Sequence, residues 1–167
     1  MAHQTQILDH KKIEQKINRI AYQIYEDNYD QKELILAGIA SNGYLLAEIL
    51  QKKLESISPI KIYLEELKID KKNPIDSSIE LSLSQKELKG KTIILVDDVL
   101  NSGRTLIYGL QVFLSVSVKK LSTVILVNRS HKKFPVSADY VGMSLATTLK
   151  DHIEVSLEKG NYSAFLS

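Results

Sequence analysis

The chain of 167 residues contains no cysteine, so neither a disulfide framework nor a thiolate metal site can form. No apolar run approaches the ~20 residues of a membrane-spanning helix, and the N-terminus carries no signal-peptide pattern. A cytoplasmic location and no membrane partner are therefore expected. Charge of one sign is not in excess either: 22 basic and 20 acidic residues leave a net charge of +2, which neither requires nor excludes a nucleic-acid partner. There is no internal repeat and no low-complexity tract, and the four histidines, at positions 3, 10, 131 and 152, lack metal-ligand spacing. What is present, 44% hydrophobic and 25% charged residues, is ordinary for a globular protein, and the length suits one domain with a small appended flap.

The most informative stretch runs from Thr92 to Thr105. Ile93 to Val96 is apolar and largely β-branched, bounded by Lys89, Gly90 and Lys91, which suits a strand buried on both faces of a parallel sheet. Asp97 and Asp98 fall where that strand should leave the sheet, the edge at which open α/β folds bind ligands. Adjacent carboxylates there repel each other and need a cation or sugar hydroxyls in compensation. Asn101, Ser102, Gly103, Arg104 and Thr105 follow, supplying a glycine for close backbone approach, two hydroxyls and a guanidinium. Leu106, Leu110, Phe113 and Leu114 then recur at helical spacing, so the loop opens on a helix N-terminus, whose free N–H groups and dipole favour an anion such as phosphate. Acids followed by a phosphate cradle describe a site for a phosphorylated sugar. The magnesium-binding strand end of a P-loop NTPase would require Gly-x-x-x-x-Gly-Lys-Ser/Thr; Gly90, Lys91 and Thr92 match its end, but Gln85 stands at its first glycine and a strand follows instead of a helix. A purely structural strand–turn–helix leaves the paired acids without a reason.

The remaining chain reads as support. A first helix is expected from Asp9 as N-cap, with Ile13, Ile17, Ile20 and Ile24 on one face. Its polar face carries Lys12, Lys16 and Arg19, read either as solvated surface or as a contact for RNA phosphates. Leu34 to Ile39 forms an apolar strand, followed by Ala40, Ser41, Asn42 and Gly43 and by a helix marked by Leu45, Leu46, Ile49, Leu50 and Leu54. This is a second strand–loop–helix unit, without acids. Ile60 to Leu67 is the next strand. Residues 65–85 make an excursion, with a charged turn at Asp70 to Pro74 and an alternating, half-exposed strand at Ile79 to Leu83; it is a surface hairpin or a mobile flap. Leu121 to Val127 is another buried strand, with Arg129 just past its end on the ligand edge, and Ile153 to Leu157 is a final alternating strand. The order predicts an α/β fold, a doubly wound, mainly parallel sheet flanked by helices.

Val96 through Thr105 resembles the PRPP-binding motif of type I phosphoribosyltransferases. Leu126 through Gly142, together with Arg19, Ile20 and Ala21 in the first helix, is similar to the family of bifunctional pyrimidine-operon regulators and uracil phosphoribosyltransferases, so the resemblance covers most of the chain. It implies a PRPP-dependent transfer of phosphoribose to a nucleobase, uracil first, giving UMP and pyrophosphate. The alternative it implies is an RNA-binding pyrimidine-operon attenuation regulator that senses nucleotides with weak or no catalysis. By the same resemblance Asp97 and Asp98 are the catalytic pair, holding the ribose hydroxyls and, directly or through them, Mg²⁺. Val99, Leu100, Asn101, Ser102, Gly103, Arg104 and Thr105 hold the 5′-phosphate, Ala40, Ser41, Asn42 and Gly43 the pyrophosphate, and Arg129 the base side. Residues 65–85 are the hood that closes over the reaction, and a homodimer or higher homo-oligomer is expected.

Departures from the family pattern carry information of their own. The pyrophosphate loop of the family usually reads Lys-Thr-Arg-Gly, and Ala40-Ser41-Asn42-Gly43 lacks both cations, which predicts a weakened hold on PRPP. The usual Tyr-Arg-Asp-Asp run of the hood is absent, leaving Lys68, Lys71 and Lys72 as candidate substitutes, and Tyr22 replaces the histidine after Arg-Ile-Ala. Purine-specific relatives commonly carry an aspartate at the position of Asn101, where an amide cannot take a proton from the ring; a pyrimidine is favoured.

Overall fold

The computed structural model describes residues 3–129 and 131–167. Strand β1 (Thr5–Leu8) leads into helix α1 (His10–Asn28), which starts where the Asp9 carboxylate accepts a hydrogen bond from the Lys12 N–H at 2.8 Å. Ile13, Ile17, Ile20 and Ile24 form the buried stripe that the spacing predicts. Then follow β2 (Glu33–Ile39), α2 (Asn42–Ile57), β3 (Lys61–Leu67), a single turn of helix α3 (Gln85–Leu88), β4 (Thr92–Leu100), α4 (Arg104–Leu114), β5 (Lys120–Arg129), β6 (Tyr140–Leu145), β7 (Ile153–Glu158) and β8 (Asn161–Leu166). No helix among the described residues is long and apolar enough to cross a membrane.

Five strands form a parallel sheet in the order β3-β2-β4-β5-β6. Alternate residues of its central strands enter different cores. Leu34, Leu36, Ile94, Val96, Val124 and Leu126 face α1 and α2, whereas Ile35, Ala37, Ile39, Ile93, Leu95 and Ile125 face α4. Burial on both sides is why these strands read as unbroken apolar runs rather than as alternating ones. The chain leaves β2 for β3 on one side and returns to β4 on the other, so the order reverses between β2 and β4. Ligand crevices open at the C-terminal ends of such a strand pair.

Several expectations are corrected. Strand β4 does not end at Val96: it runs on through Asp97 and Asp98 to Leu100, because β5 is longer than β2 and pairs with Val99 and Leu100 after the β2 ladder has ended at Val96. Ile153 to Leu157 is the alternating strand expected, but as β7 it lies outside the parallel sheet: it pairs antiparallel with β8, which pairs with β1, and this small sheet closes the α1–α2 core with Val155, Leu157 and Ala164. Ile79 to Leu83 is not a strand. Only Glu80 bridges to Lys68, although Ile79, Leu81 and Leu83 still pack on the α4-side core. Leu114, one of the four residues that recur at helical spacing, is 73% exposed, since it lies about 100° around the helix from the fully buried Phe113.

Adjacent positions on α4 should thus respond very differently to truncation. Phe113→Ala is expected to cost about 3–5 kcal/mol of unfolding free energy, as large buried aromatics do. Leu114→Ala should stay within about 0.5 kcal/mol, as surface changes do. Chemical denaturation measures both.

Candidate active site

The last β2–β4 pair is Gly38 with Val96. Past it, β2 turns through Ala40 and Ser41 into α2, whereas β4 continues with β5 alone. Asp97 is thereby set against the first turn of α2. A Cβ on Gly43 would lie 2.6 Å from the Val96 carbonyl oxygen and 3.0 Å from Asp97 Oδ1, so only glycine permits this approach. The expected pyrophosphate loop is therefore a two-residue turn, Ala40 and Ser41, with Asn42 and Gly43 already helical; its Ala40–Ser41 peptide bond is cis. The Asn42 side-chain amide donates to Asp98 Oδ2 at 3.0 Å and to the Val155 carbonyl at 2.9 Å, joining the acid pair to β7.

Both acids are buried, Asp97 to 3% exposure and Asp98 to 9%. Asp97 Oδ1 accepts from the Asp98 N–H at 2.9 Å and from Lys71 Nζ at 3.4 Å, and Asp98 Oδ1 accepts from the Val99 N–H at 2.8 Å. Burial, followed by the charge of Asp98, pushes the Asp97 carboxyl up to about 8, and the Lys71 ammonium pulls the other way. The site is therefore short of positive charge. Among the described residues no group of three or more histidine, cysteine or acidic side chains could cage a metal ion. Two carboxylates with hard oxygens fit Mg²⁺ in its usual manner, held by one or two carboxylates together with the oxygens of a phosphate-bearing ligand.

Residues 101–103 form the bend that enters α4. Gly103 has φ of 87°, a left-handed conformation that favours glycine, and a Cβ there would meet Val136 Cγ1 at 2.6 Å. The bend is clamped from outside, because the Ser102 carbonyl accepts from the Lys133 N–H at 2.8 Å and the Phe134 N–H at 3.1 Å. Gly103 offers no side chain to cap α4, and Ser102 Oγ accepts from the Arg104 N–H at 3.3 Å. Lys71, Asp97, Asp98 and residues 99–106 together line a cavity of about 80 Å³. All the residues expected to form the acid pair and the 5′-phosphate loop are thus brought to one place, although Val99 and Leu100 contribute as strand rather than as loop. A larger hollow of about 420 Å³, lined by Glu33, Tyr63 and Lys91 among others, lies at the opposite, N-terminal end of β2 and β4.

Arg129 does end on the ligand edge, but it is 8% exposed and each of its three side-chain nitrogens donates a hydrogen bond. Nη1 donates to Asn101 Oδ1 at 2.9 Å, Nε to Thr147 Oγ1 at 3.0 Å and Nη2 to the Thr148 carbonyl at 3.0 Å. Arg129 therefore ties the 101–103 bend to the 147–148 loop, where His131 Nε2 also meets the Thr147 carbonyl oxygen. Neither the 147–148 loop nor the backbone clamp at Lys133 and Phe134 carries a side-chain pattern that announces it in the sequence.

Comparison with known proteins agrees with this geometry. The phosphoribosyl transferase domain profile matches residues 3–158, which sets the class. Solved structures agree on the fold: the hypoxanthine phosphoribosyltransferase of Trypanosoma cruzi superposes with a TM-score of 0.74 at 18% identity, covering 86% of this chain and 82% of that one. A hypoxanthine-guanine phosphoribosyltransferase of Bacillus anthracis gives 0.70 at 18%, covering 84% and 81%. Sequence relatives narrow the class. "Bifunctional protein PyrR" of Haemophilus ducreyi is 35% identical over 162 residues, 91% of this chain and 89% of that protein, and the protein of the same name from Fusobacterium nucleatum is 36% identical over 161 residues, 92% and 90%. The chain belongs to the phosphoribosyl transferase domain family and, within it, to the PyrR group.

The raised Asp97 carboxyl has a consequence for stability. Its folded value lies above the value of about 3.9 for a free aspartate, so between about 4 and about 8 the folded chain keeps a proton that the unfolded chain has lost. The stabilisation is complete at the acid end of this window and is lost as pH rises through it. Asp97→Asn cannot ionise and should flatten that fall in denaturation midpoints measured across the window without added metal; the same slope in variant and wild type would contradict the assignment.

Proposed function

We propose that the protein is a PRPP-dependent phosphoribosyltransferase that joins uracil to phosphoribose, giving UMP and pyrophosphate. The observation that carries this reading is the convergence of the buried Asp97–Asp98 pair and the 101–105 bend on one cavity at the point where strand order reverses. Asp97 and Asp98 hold the 2′ and 3′ hydroxyls of the ribose. Ser102, Gly103, Arg104 and Thr105, with Asn101 and the ends of β4 at Val99 and Leu100, hold the 5′-phosphate against the free amides of α4, so that binding energy far from C1 positions the reacting centre. The turn at Ala40 and Ser41 with the start of α2 at Asn42 and Gly43 receives the pyrophosphate. Asp97 and Asp98 would hold Mg²⁺, directly or through the ribose, and the ion would supply positive charge against the leaving pyrophosphate. A uracil nitrogen forms the new bond to C1 as the bond to the pyrophosphate oxygen breaks, through an oxocarbenium-like transition state, and the proton of that nitrogen passes to the departing pyrophosphate.

Residues 65–85 act as a hood over a single domain, keeping water from that centre. Arg129 shapes the base side through Asn101 and the 147–148 loop rather than through a free guanidinium. Asn101 offers an amide and no base, which suits a pyrimidine. The same reading includes a cytoplasmic homodimer or higher homo-oligomer.

A second reading, binding of pyrimidine-operon RNA by the same chain, is supported by relatives named bifunctional and by Lys11 and Lys12 exposed on α1. Arg19 is less available to it, since Nη2 donates to the Val141 and Gly142 carbonyls at 3.1 and 2.6 Å.

A radiolabelled PRPP assay is expected to give UMP from uracil, with Asp98→Asn lowering kcat/KM about 100-fold, the scale of losing one preorganised polar group. No product with uracil, orotate, hypoxanthine, guanine, adenine or xanthine would overturn the enzyme reading. For the second reading, a gel shift with pyrimidine-operon leader RNA should appear at low salt and fade as salt rises; no shift at low salt ends it.

A further inference from the structure

The turn assigned to pyrophosphate has no lysine or arginine between Ala40 and Gly43. Backbone amides can donate to such a polyanion but leave its charge without a formal counter-charge. A positive charge is nevertheless in place, delivered by another part of the chain. Lys71 Nζ lies 3.4 Å from Asp97 Oδ1, the same oxygen that a Cβ on Gly43 would approach to 3.0 Å. The ammonium and the first turn of α2 are therefore neighbours of one carboxylate oxygen.

The segment that presents Lys71 is braced at both ends. At its base the Leu67 carbonyl accepts from the Ala40 N–H at 2.9 Å, linking it directly to the turn, and Lys68 and Glu80 exchange two backbone hydrogen bonds of 2.9 Å. At its tip the Asp70 carboxylate accepts from the N–H groups of Lys72 and Asn73 at 2.9 and 3.3 Å, and the Asn73 side-chain amide donates to Asp76 at 2.7 Å. Of the three lysines in the segment, Lys71 lines the acid-pair cavity, whereas Lys68 lines a separate hollow beside Tyr44 and Glu66. The Lys71 side chain is 43% exposed and Asp97 only 4%, so the lysine can move and the acid cannot.

We infer that Lys71 supplies, from the 68–84 segment, the positive charge for pyrophosphate that the 40–43 turn lacks, resting on Asp97 until a ligand takes that carboxylate; this role depends on the phosphoribosyl reading of the site. Ribose hydroxyls arriving at Asp97 occupy the shared oxygen and free the ammonium, and its flexible four-carbon stem carries it to the adjacent turn. Pyrophosphate binding and the position of the 68–84 segment are then coupled, because one side chain serves both.

Isothermal titration of the full chain with UMP and, on the UMP-saturated chain, with magnesium pyrophosphate tests this. UMP has the ribose and 5′-phosphate but no pyrophosphate. Lys71→Met is expected to weaken pyrophosphate binding about tenfold or more, the scale of one charged hydrogen bond, with no comparable loss of UMP binding. Lys71→Arg should retain pyrophosphate binding, and Ala40→Lys added to Lys71→Met, which restores a cation to the turn itself, should recover it. Equal pyrophosphate affinity in wild type and Lys71→Met overturns the inference, as does a parallel loss of UMP binding or a gain in pyrophosphate affinity, which would make Lys71 a mere plug. A wild type that binds neither ligand refutes the phosphoribosyl reading itself, and this inference with it.

Discussion

Two adjacent carboxylates at the buried end of one strand repel each other and lose hydration, so the structure must offset their cost with hydrogen bonds and opposite charge. Asp97 and Asp98 receive amides from Asp98 and Val99, the side-chain amide of Asn42 and the ammonium of Lys71. These groups come from three parts of the chain, so the acid pair links β4 to α2, to β7 through the second bond of Asn42, and to the 68–84 segment. The contacts offset the burial only in part, and the Asp97 carboxyl stays raised. An arrangement left short of positive charge at a strand-order reversal is poised for a ligand that brings hydroxyls or a cation.

The parallel sheet makes this placement possible. Because β4 outruns β2 while still paired with β5, the acids stand beside the first turn of α2, at the contact that Gly43 permits. The left-handed Gly103 then reverses the chain into α4, and the backbone donors of Lys133 and Phe134 fix that bend from outside. Membership of the phosphoribosyl transferase family follows from the sequence comparison, and the proposed function rests on this geometry.

Much of the fold was legible because its signals are local. The isoleucine stripe of α1, the Asp9 cap and the apolar runs of β2, β4 and β5 are set by residues a few positions apart. The small antiparallel sheet was not, because β1 and β8 come from opposite ends of the chain and pair only across the whole fold. The length of β4 was misjudged for a related reason: apolar patterning stops at Val96, while pairing with β5 continues. Within the candidate site, the acids and the 101–105 bend stood out as consecutive residues. The partners of Arg129 and the reach of Lys71 to Asp97, 26 positions away, depend on the folded chain.

The central claim is that one cavity holds both the ribose and the 5′-phosphate of a nucleotide. A crystal structure of the protein with UMP tests it most directly. The expected result is the phosphate at the amides of residues 102–105 and the ribose hydroxyls on Asp97 and Asp98. UMP seated elsewhere, for instance in the hollow beside Tyr63 and Lys91, would contradict it.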